Sequence, residues 1–222
     1  SVFETDGTPD DIVVPMLRML DHVDYATFIE LPGSASSLSP GVSAKEIFDD
    51  GEQLLDACAE LGLNIGAVMA VREARLTGEQ HAVAAMRRVL EVMREETTTP
   101  IAAPQRSLGG LIGGEAKLVD ATCRNDLSTN LMGAVQTEAV ARAMAVLERS
   151  ATMGVIVAAP TAGSAGVVPG CVLALADHLQ LDDEQVMDAL YCSAAIGLNL
   201  TTSACVAGAE GGCQAEVGSA AA

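Results

Sequence analysis

Aromatic residues are nearly absent from this chain of 222 residues. They make up 2% of the sequence, and there is no tryptophan, so the core has to be built mainly from Ala, Val, Leu, Ile and Met. Such side chains suit closely packed helices better than a sandwich of sheets. Since 50% of the residues are hydrophobic, the chain can bury a substantial core, and we predict a mostly α-helical fold.

Basic residues are also scarce. The sequence has 12 Lys and Arg against 30 Asp and Glu, which gives a formal net charge of -18, and the only lysines are Lys45 and Lys117. A surface of this sign repels phosphate backbones and anionic lipid head groups. We therefore predict that the protein binds neither nucleic acid nor a membrane.

Charge of either sign is missing between Ser150 and Ala176, a run long enough to span a bilayer. Pro160, Pro169 and several glycines interrupt it, so we predict a buried segment that carries a functional loop. The first residues are acidic and polar and do not resemble a secretory signal. We expect a cytoplasmic protein whose six cysteines are thiols.

The first 42 residues differ in composition from the rest and end in the stretch LPGSASSLSPGVS, which is typical of a linker. We expect residues 1–42 to be a linker or the tail of a preceding domain, with a short helix at 12–23. Residues 43–222 are expected to form one helical domain.

Hydrophobic periodicity and capping signals predict most of the helices. SAKE at 43–46 and TGEQ at 77–80 have the pattern of capping boxes, in which a Ser or Thr hydroxyl and a Glu or Gln satisfy the first amides of a helix. The first three helices should form an antiparallel bundle. GVIVAA at 154–159 could be a short strand. The predicted helices cover residues 43–62, 65–76, 81–96, 131–151, 171–179 and 182–196, the last capped by Asp182.

Two glycine-rich segments stand between these helices. In RSLGGLIGGEAKL at 106–118 the glycines resist regular structure and let backbone amides approach a ligand. In APTAGSAGVVPG at 159–170 the amides and hydroxyls around Gly163, Ser164 and Gly166 could converge on an anion. The second segment lacks the Lys of a nucleotide P-loop, so a carboxylate is the better guest. The alternative is a tight turn between buried helices.

Cysteine and histidine show no metal-binding spacing such as CxxC or HExxH. His22, His81 and His178 each stand alone and are interpreted as surface or core residues. Cys58, Cys123 and Cys192 fall in or beside helical stretches and are interpreted as structural, whereas Cys171 and Cys205 stay open. Cys213 differs, because Gly211 and Gly212 clear space before it and a following helix N-terminus would stabilise a thiolate.

Together, APTAGSAGVVPG at 159–170 and AGAEGGCQAEVGSAA at 207–221 resemble the alpha part of iron-sulfur dependent L-serine dehydratase. GLIGGEAKL at 110–118 is similar to a segment upstream in that family, so the resemblance covers residues 43–222. It implies a mostly helical domain and an L-serine ammonia-lyase that forms pyruvate and ammonia, in amino-acid degradation and gluconeogenesis. It also implies a [4Fe-4S] cluster whose open iron binds the substrate as a Lewis acid.

The resemblance assigns roles to individual residues. Cys213 matches the first cluster ligand, and two further cysteine ligands are expected beyond residue 222. Lys117 is a second candidate for charge pairing with the substrate, and no general base is identified. Glu216 either orients a neighbouring group or is a helix surface charge. The substrate carboxylate is expected against a loop that comprises Thr161, Ala162, Gly163, Ser164 and Gly166.

The resemblance further implies a beta part, as a domain or a separate chain, and we expect a homo-oligomer. The chain departs from the family in one segment, where TTSACVAGA at 201–209 replaces an Asn-rich stretch. Two alternatives therefore stay open. One is a related lyase that cleaves L-cysteine, and the other is a truncated module without catalytic activity.

Overall fold

The computed structural model describes residues 47–125 and 131–222, and residues 45–222 form one compact unit. The described part contains α-helices and one 3₁₀ turn and no β-strand, which confirms the predicted mostly α fold. The segment 154–159 is irregular, so the short strand considered there does not form. The helices are α1 (Gly51–Leu61), α2 (Ile65–Thr77), α3 (Glu79–Ala102), α4 (Glu115–Asn125), α5 (Ala134–Ala151), α6 (Val167–Leu179), α7 (Asp183–Ser203), α8 (Gly208–Gly211) and α9 (Cys213–Ala221).

Several predicted helix boundaries are confirmed. α1 ends at Gly62, which adopts the left-handed conformation (φ 65°) that a residue without a Cβ accepts at low cost. α7 begins after Asp182, whose carboxylate accepts from the Gln185 amide, while the Gln185 side chain accepts in return from the Asp182 amide. These ends depend on residues close in sequence, which is why the sequence predicts them.

Other predicted boundaries are wrong. Residues 47–50 are not helical, and the α1 cap is Asp50, so the helix does not run continuously from residue 43. Thr77 does not cap α3, because it is the last residue of α2 and its hydroxyl donates to the Glu73 carbonyl. α3 also continues through Pro100, which is buried, so tertiary packing offsets the backbone hydrogen bond that a proline loses. The helix predicted at 12–23 and the box at 43–46 lie outside the described residues.

The first three helices do not form a simple antiparallel bundle. The chain turns by 95° between α1 and α2, whereas antiparallel neighbours would reverse direction. α2 instead packs mainly on α7, which is distant in sequence, and less extensively on α3 and α1. The prediction failed because short loops suggest antiparallel neighbours but do not fix the angle between helices.

Two apolar clusters fill the interior between these helices. The first joins α1, α2 and α7 and includes Phe48, Val68 and Tyr191, whose hydroxyl donates to the Ala82 carbonyl at 3.0 Å. The second joins α3, α6 and α7 around Leu90 and Leu173. α5 packs on α3, α4 and α6, so it connects the glycine-rich segment before α4 to the loop before α6.

In the described part of the chain no single helix is long and apolar enough to cross a membrane. Among the described helices, α1 and α2 taken as a bent pair have sufficient combined length and apolar composition.

Candidate functional site

The loop at 160–166 connects the irregular segment after α5 to the start of α6. Thr161 is half-buried, and Ala162–Ser164 form the 3₁₀ turn. The hydroxyls of Thr161 and Ser164 lie 3.1 Å apart and hydrogen-bond to each other. Ser164 is only 3% exposed, so its hydroxyl can hold the Thr161 hydroxyl in position but is not itself accessible to a ligand. The half-buried Thr161 hydroxyl is the better placed of the two to contact a ligand.

Close backbone packing fixes this loop on α5. A Cβ at Gly166 would lie 2.5 Å from the Ala143 carbonyl oxygen, and one at Gly170 would lie 2.8 Å from the Ala139 carbonyl oxygen. Real side chains do not tolerate such distances, so both positions require glycine. The predicted buried segment is confirmed for α6, whose inner face includes Pro169, Leu173 and Ala174.

The cysteine-containing block forms the last two helices. α8 ends at Gly212, whose positive φ of 77° turns the chain into α9. Cys213 is the first residue of α9 and is exposed, so the predicted helix after this cysteine is confirmed. The N-terminus of a helix favours a negatively charged group, which suits a thiolate ligand.

The two blocks meet through Glu216, which lies one turn after Cys213 in α9. α9 packs on the 3₁₀ turn, and the Glu216 carboxylate fills the space where Gly163 has no side chain. A Cβ at Gly163 would lie 2.3 Å from Glu216 Oε2, and one at Gly208 would lie 2.6 Å from the same oxygen. The structure therefore brings together the candidate substrate loop and the helix that begins with the candidate ligand.

The other described cysteines lie elsewhere or face other groups. Cys58 is half-buried and packs on the first apolar cluster, and burial raises the pKa of the half-buried Cys192 thiol. Cys171 is exposed on α6. The exposed Cys205 thiol donates to the Glu210 carboxylate at 3.3 Å. Within residues 47–125 and 131–222, no three His, Cys, Asp or Glu side chains are grouped closely enough to hold a metal ion.

The sequence predicted that the backbone amides of the glycine-rich segment before α4 bind an external ligand, but in the structure they donate to carboxylates of this chain. The Gly114 and Ala116 amides donate to the Glu148 carboxylate at 2.9 and 2.8 Å, and the Gly113 amide donates to Glu115 at 2.6 Å. The bond from Gly113 lowers the pKa of the Glu115 carboxyl. Side-chain carboxylates of the protein itself thus occupy these amides.

Lys117 is exposed on α4, whose main packing partners are α5 and α3. α9 and the 3₁₀ turn are not among the main packing partners of α4, and charge pairing between Lys117 and the substrate stays a prediction. His81 and His178 are exposed on α3 and α6, in agreement with a surface interpretation, and His22 lies outside the described residues.

A buried carboxylate that the sequence did not reveal holds the segment leading to the loop. Glu96 is 0% exposed, and its Oε2 accepts from the Val157 amide at 2.8 Å, four residues before Thr161. Burial raises the pKa of Glu96 to about 7, although the Val157 amide and the positive charge of Arg149 act in the opposite direction. In the sequence Glu96 stands next to Thr97 and three residues after Met93, both of which are buried, but its polarity argues against burial.

Residues 60–222 match the family model described as "Serine dehydratase alpha chain". The chain is 36% identical over 180 residues to the "Probable L-serine dehydratase, alpha chain" of Bacillus subtilis (strain 168), which covers 78% of this chain and 58% of that protein. It is 32% identical over 178 residues to the "L-serine dehydratase, alpha chain" of Peptoniphilus asaccharolyticus, covering 79% and 60%. A third relative, the "L-serine dehydratase" of Mycobacterium tuberculosis (strain CDC 1551 / Oshkosh), is 34% identical over 196 residues, covering 82% and 39%. The chain thus spans less than two thirds of the length of these relatives.

Proposed function

Because this chain belongs to the serine dehydratase alpha-chain family, we propose that it supplies part of the active site of an L-serine ammonia-lyase, which converts L-serine to pyruvate and ammonia. The contact between α9 and the 3₁₀ turn supports this proposal, because it joins the two sequence blocks that carry the resemblance. The reaction is proposed from the similarity to L-serine dehydratases, and the contact between the two blocks supports a shared site for it.

The residues of this chain fit one position of an iron-sulfur cluster. Cys213 is an exposed thiol at a helix N-terminus, a position that favours a negatively charged thiolate. Since the described residues do not group three metal-binding side chains, we assign only Cys213, and the remaining ligands belong to other parts of the enzyme. A bound [4Fe-4S] cluster would supply an open iron that acts as a Lewis acid.

The loop residues bind and orient the substrate in this proposal. The Thr161 hydroxyl donates to the substrate carboxylate, with the buried Ser164 hydroxyl holding it in place. Gly163 and Gly166 shape the loop, because their missing side chains let Glu216 and α5 approach it, and at the exposed Ala162 the substrate can approach the backbone. A beta part completes the site, the enzyme is a homo-oligomer, and it acts in the cytoplasm.

The test is performed under argon on the complete enzyme that contains this chain, with pyruvate formation and bound iron measured on the same samples. Cys213→Ser should abolish pyruvate formation from L-serine and lower the iron content. Cys171→Ser is the matched control, since it also alters an exposed thiol, and it should retain both. Unchanged iron and activity in Cys213→Ser would contradict the ligand assignment, and faster turnover of L-cysteine than of L-serine would contradict the substrate.

A further inference from the structure

The Glu216 carboxylate lies between glycines of two separate segments. Its Oε2 occupies the side-chain space of Gly163 in the candidate substrate loop and of Gly208 in α8. Any larger residue at either position would displace the carboxylate. Glycine at both positions therefore leaves the space through which the Glu216 side chain reaches the loop.

This carboxylate brings a charge to the candidate substrate loop, which has no charged residue of its own. Residues 150–176, which include the whole loop, contain no charged side chain. Glu216 is half-buried, and within the described residues its carboxylate accepts no hydrogen bond and has no cation within ion-pair distance. A partly buried carboxylate without a cationic partner is poorly compensated, so it attracts a positively charged ligand.

We propose that Glu216 binds the α-ammonium group of the substrate and thereby selects amino acids at this site. The proposal rests on the proposed function and deepens it. An amino acid carries both charges, and Glu216 repels its carboxylate. The substrate therefore places its carboxylate towards Thr161 and its ammonium group towards Glu216, on the side of the loop that faces α9. A 3-hydroxy acid without the amino group lacks this second contact.

Glu216→Gln tests the charge while keeping the shape of the side chain. In the complete enzyme, KM for L-serine should rise by about ten- to a hundredfold, the range expected for losing one charged hydrogen bond. The affinity for 3-hydroxypropionate, which is L-serine without its amino group, should stay within about twofold. Glu184→Gln is the control, because Glu184 is exposed in the first turn of α7 and its loss changes the net charge equally.

The alternatives give different results. A loss of kcat with unchanged KM would make Glu216 a proton-transfer group and overturn the proposal. Equal losses of affinity for L-serine and 3-hydroxypropionate would indicate a purely structural role and also overturn it. Unchanged affinity for both would leave Glu216 as a surface charge and refute the proposal directly.

Gly208→Ala tests the geometry without altering the charge. The new Cβ would displace the Glu216 carboxylate, so affinity for L-serine should fall while affinity for 3-hydroxypropionate is kept. Gly218→Ala in α9 is the control, because a Cβ there has no neighbour within 4 Å. In the Glu216→Gln background Gly208→Ala should have little further effect on L-serine, since the two changes remove the same contact. Additive effects would overturn the proposal.

Calorimetric titration separates the two proposals. Wild-type enzyme that binds L-serine but forms no pyruvate would refute the proposed function, while the affinities of the Glu216 variants would still decide the ammonium contact. Wild-type enzyme that binds neither L-serine nor 3-hydroxypropionate would overturn both proposals.

Discussion

Glu96→Gln is expected to change how the stability of the chain depends on pH. Glu96 is completely buried on α3, and only one of its two carboxylate oxygens has a hydrogen-bond donor among the described residues. Burial raises the pKa of this carboxyl from 4.5 to about 7, which means that the folded chain favours the protonated form. The unfolded chain exposes the same group to water and favours the ionised form at neutral pH.

The size of the effect follows from this difference in pKa. A shift from 4.5 to about 7 corresponds to roughly 3 kcal/mol, at about 1.4 kcal/mol for each pKa unit. Because the folded chain holds a proton that the unfolded chain has released, stability decreases as the pH rises from 4.5 to 7. The contribution of the protonated form is fully present below pH 4.5 and is lost above pH 7.

The assay is urea unfolding of wild type and Glu96→Gln between pH 4 and 8, with the difference in free energy of unfolding plotted against pH. Relative to wild type, Glu96→Gln should gain roughly 3 kcal/mol over this interval, because glutamine does not ionise. Glu91→Gln is the control, since Glu91 lies on the same helix, is exposed and pairs with Arg88. A difference that is constant with pH, or one that decreases as the pH rises, would refute the reasoning.

Two further predictions concern stability. Glu148→Gln removes one of the two hydrogen bonds by which this buried carboxylate holds the start of α4, and it should lower the free energy of unfolding by about 2 kcal/mol in urea titrations. No change would mean that water replaces the lost acceptor. Gly166→Ala should cost about 1–3 kcal/mol by forcing the backbone away from Ala143, whereas Gly197→Ala in the open interior of α7 should stabilise by about 1 kcal/mol. Equal effects of the two substitutions on the melting temperature would contradict the close approach.

The parts of the fold that the sequence predicts are those governed by neighbouring residues. Asp182 and Gln185 form the predicted capping box because both groups needed for it lie within one turn. TGEQ has the same pattern but fails, because the Thr77 hydroxyl already bonds to the preceding helix. A local sequence pattern does not determine whether a residue between two helices ends the first helix or caps the second.

The sequence predicted the separate segments that form the candidate site, but it did not predict the contact between them. The sequence singled out the loop at 159–170 and Cys213, yet left Glu216 undecided, because its partner Gly163 is 53 residues away and has no side chain that would suggest a contact. The carboxylates of Glu96 and Glu148 were missed for a related reason. Glutamate is rarely buried, and the backbone amides that stabilise both groups become their neighbours only in the folded chain.

Gly166 and Gly170 lie so close to α5 that the residue types allowed at these positions are limited by the facing helix. Ala143 lies opposite both glycines, and the Ala139 carbonyl oxygen lies opposite Gly170, so the backbones of α5 and α6 come close only while Gly166, Gly170 and Ala143 stay small. A substitution at one of them would separate the helices and carry the loop away from Glu216. Because a Cβ at either glycine would first meet a backbone carbonyl oxygen of α5, which every residue type has, no side-chain change on α5 could make room for a larger residue there.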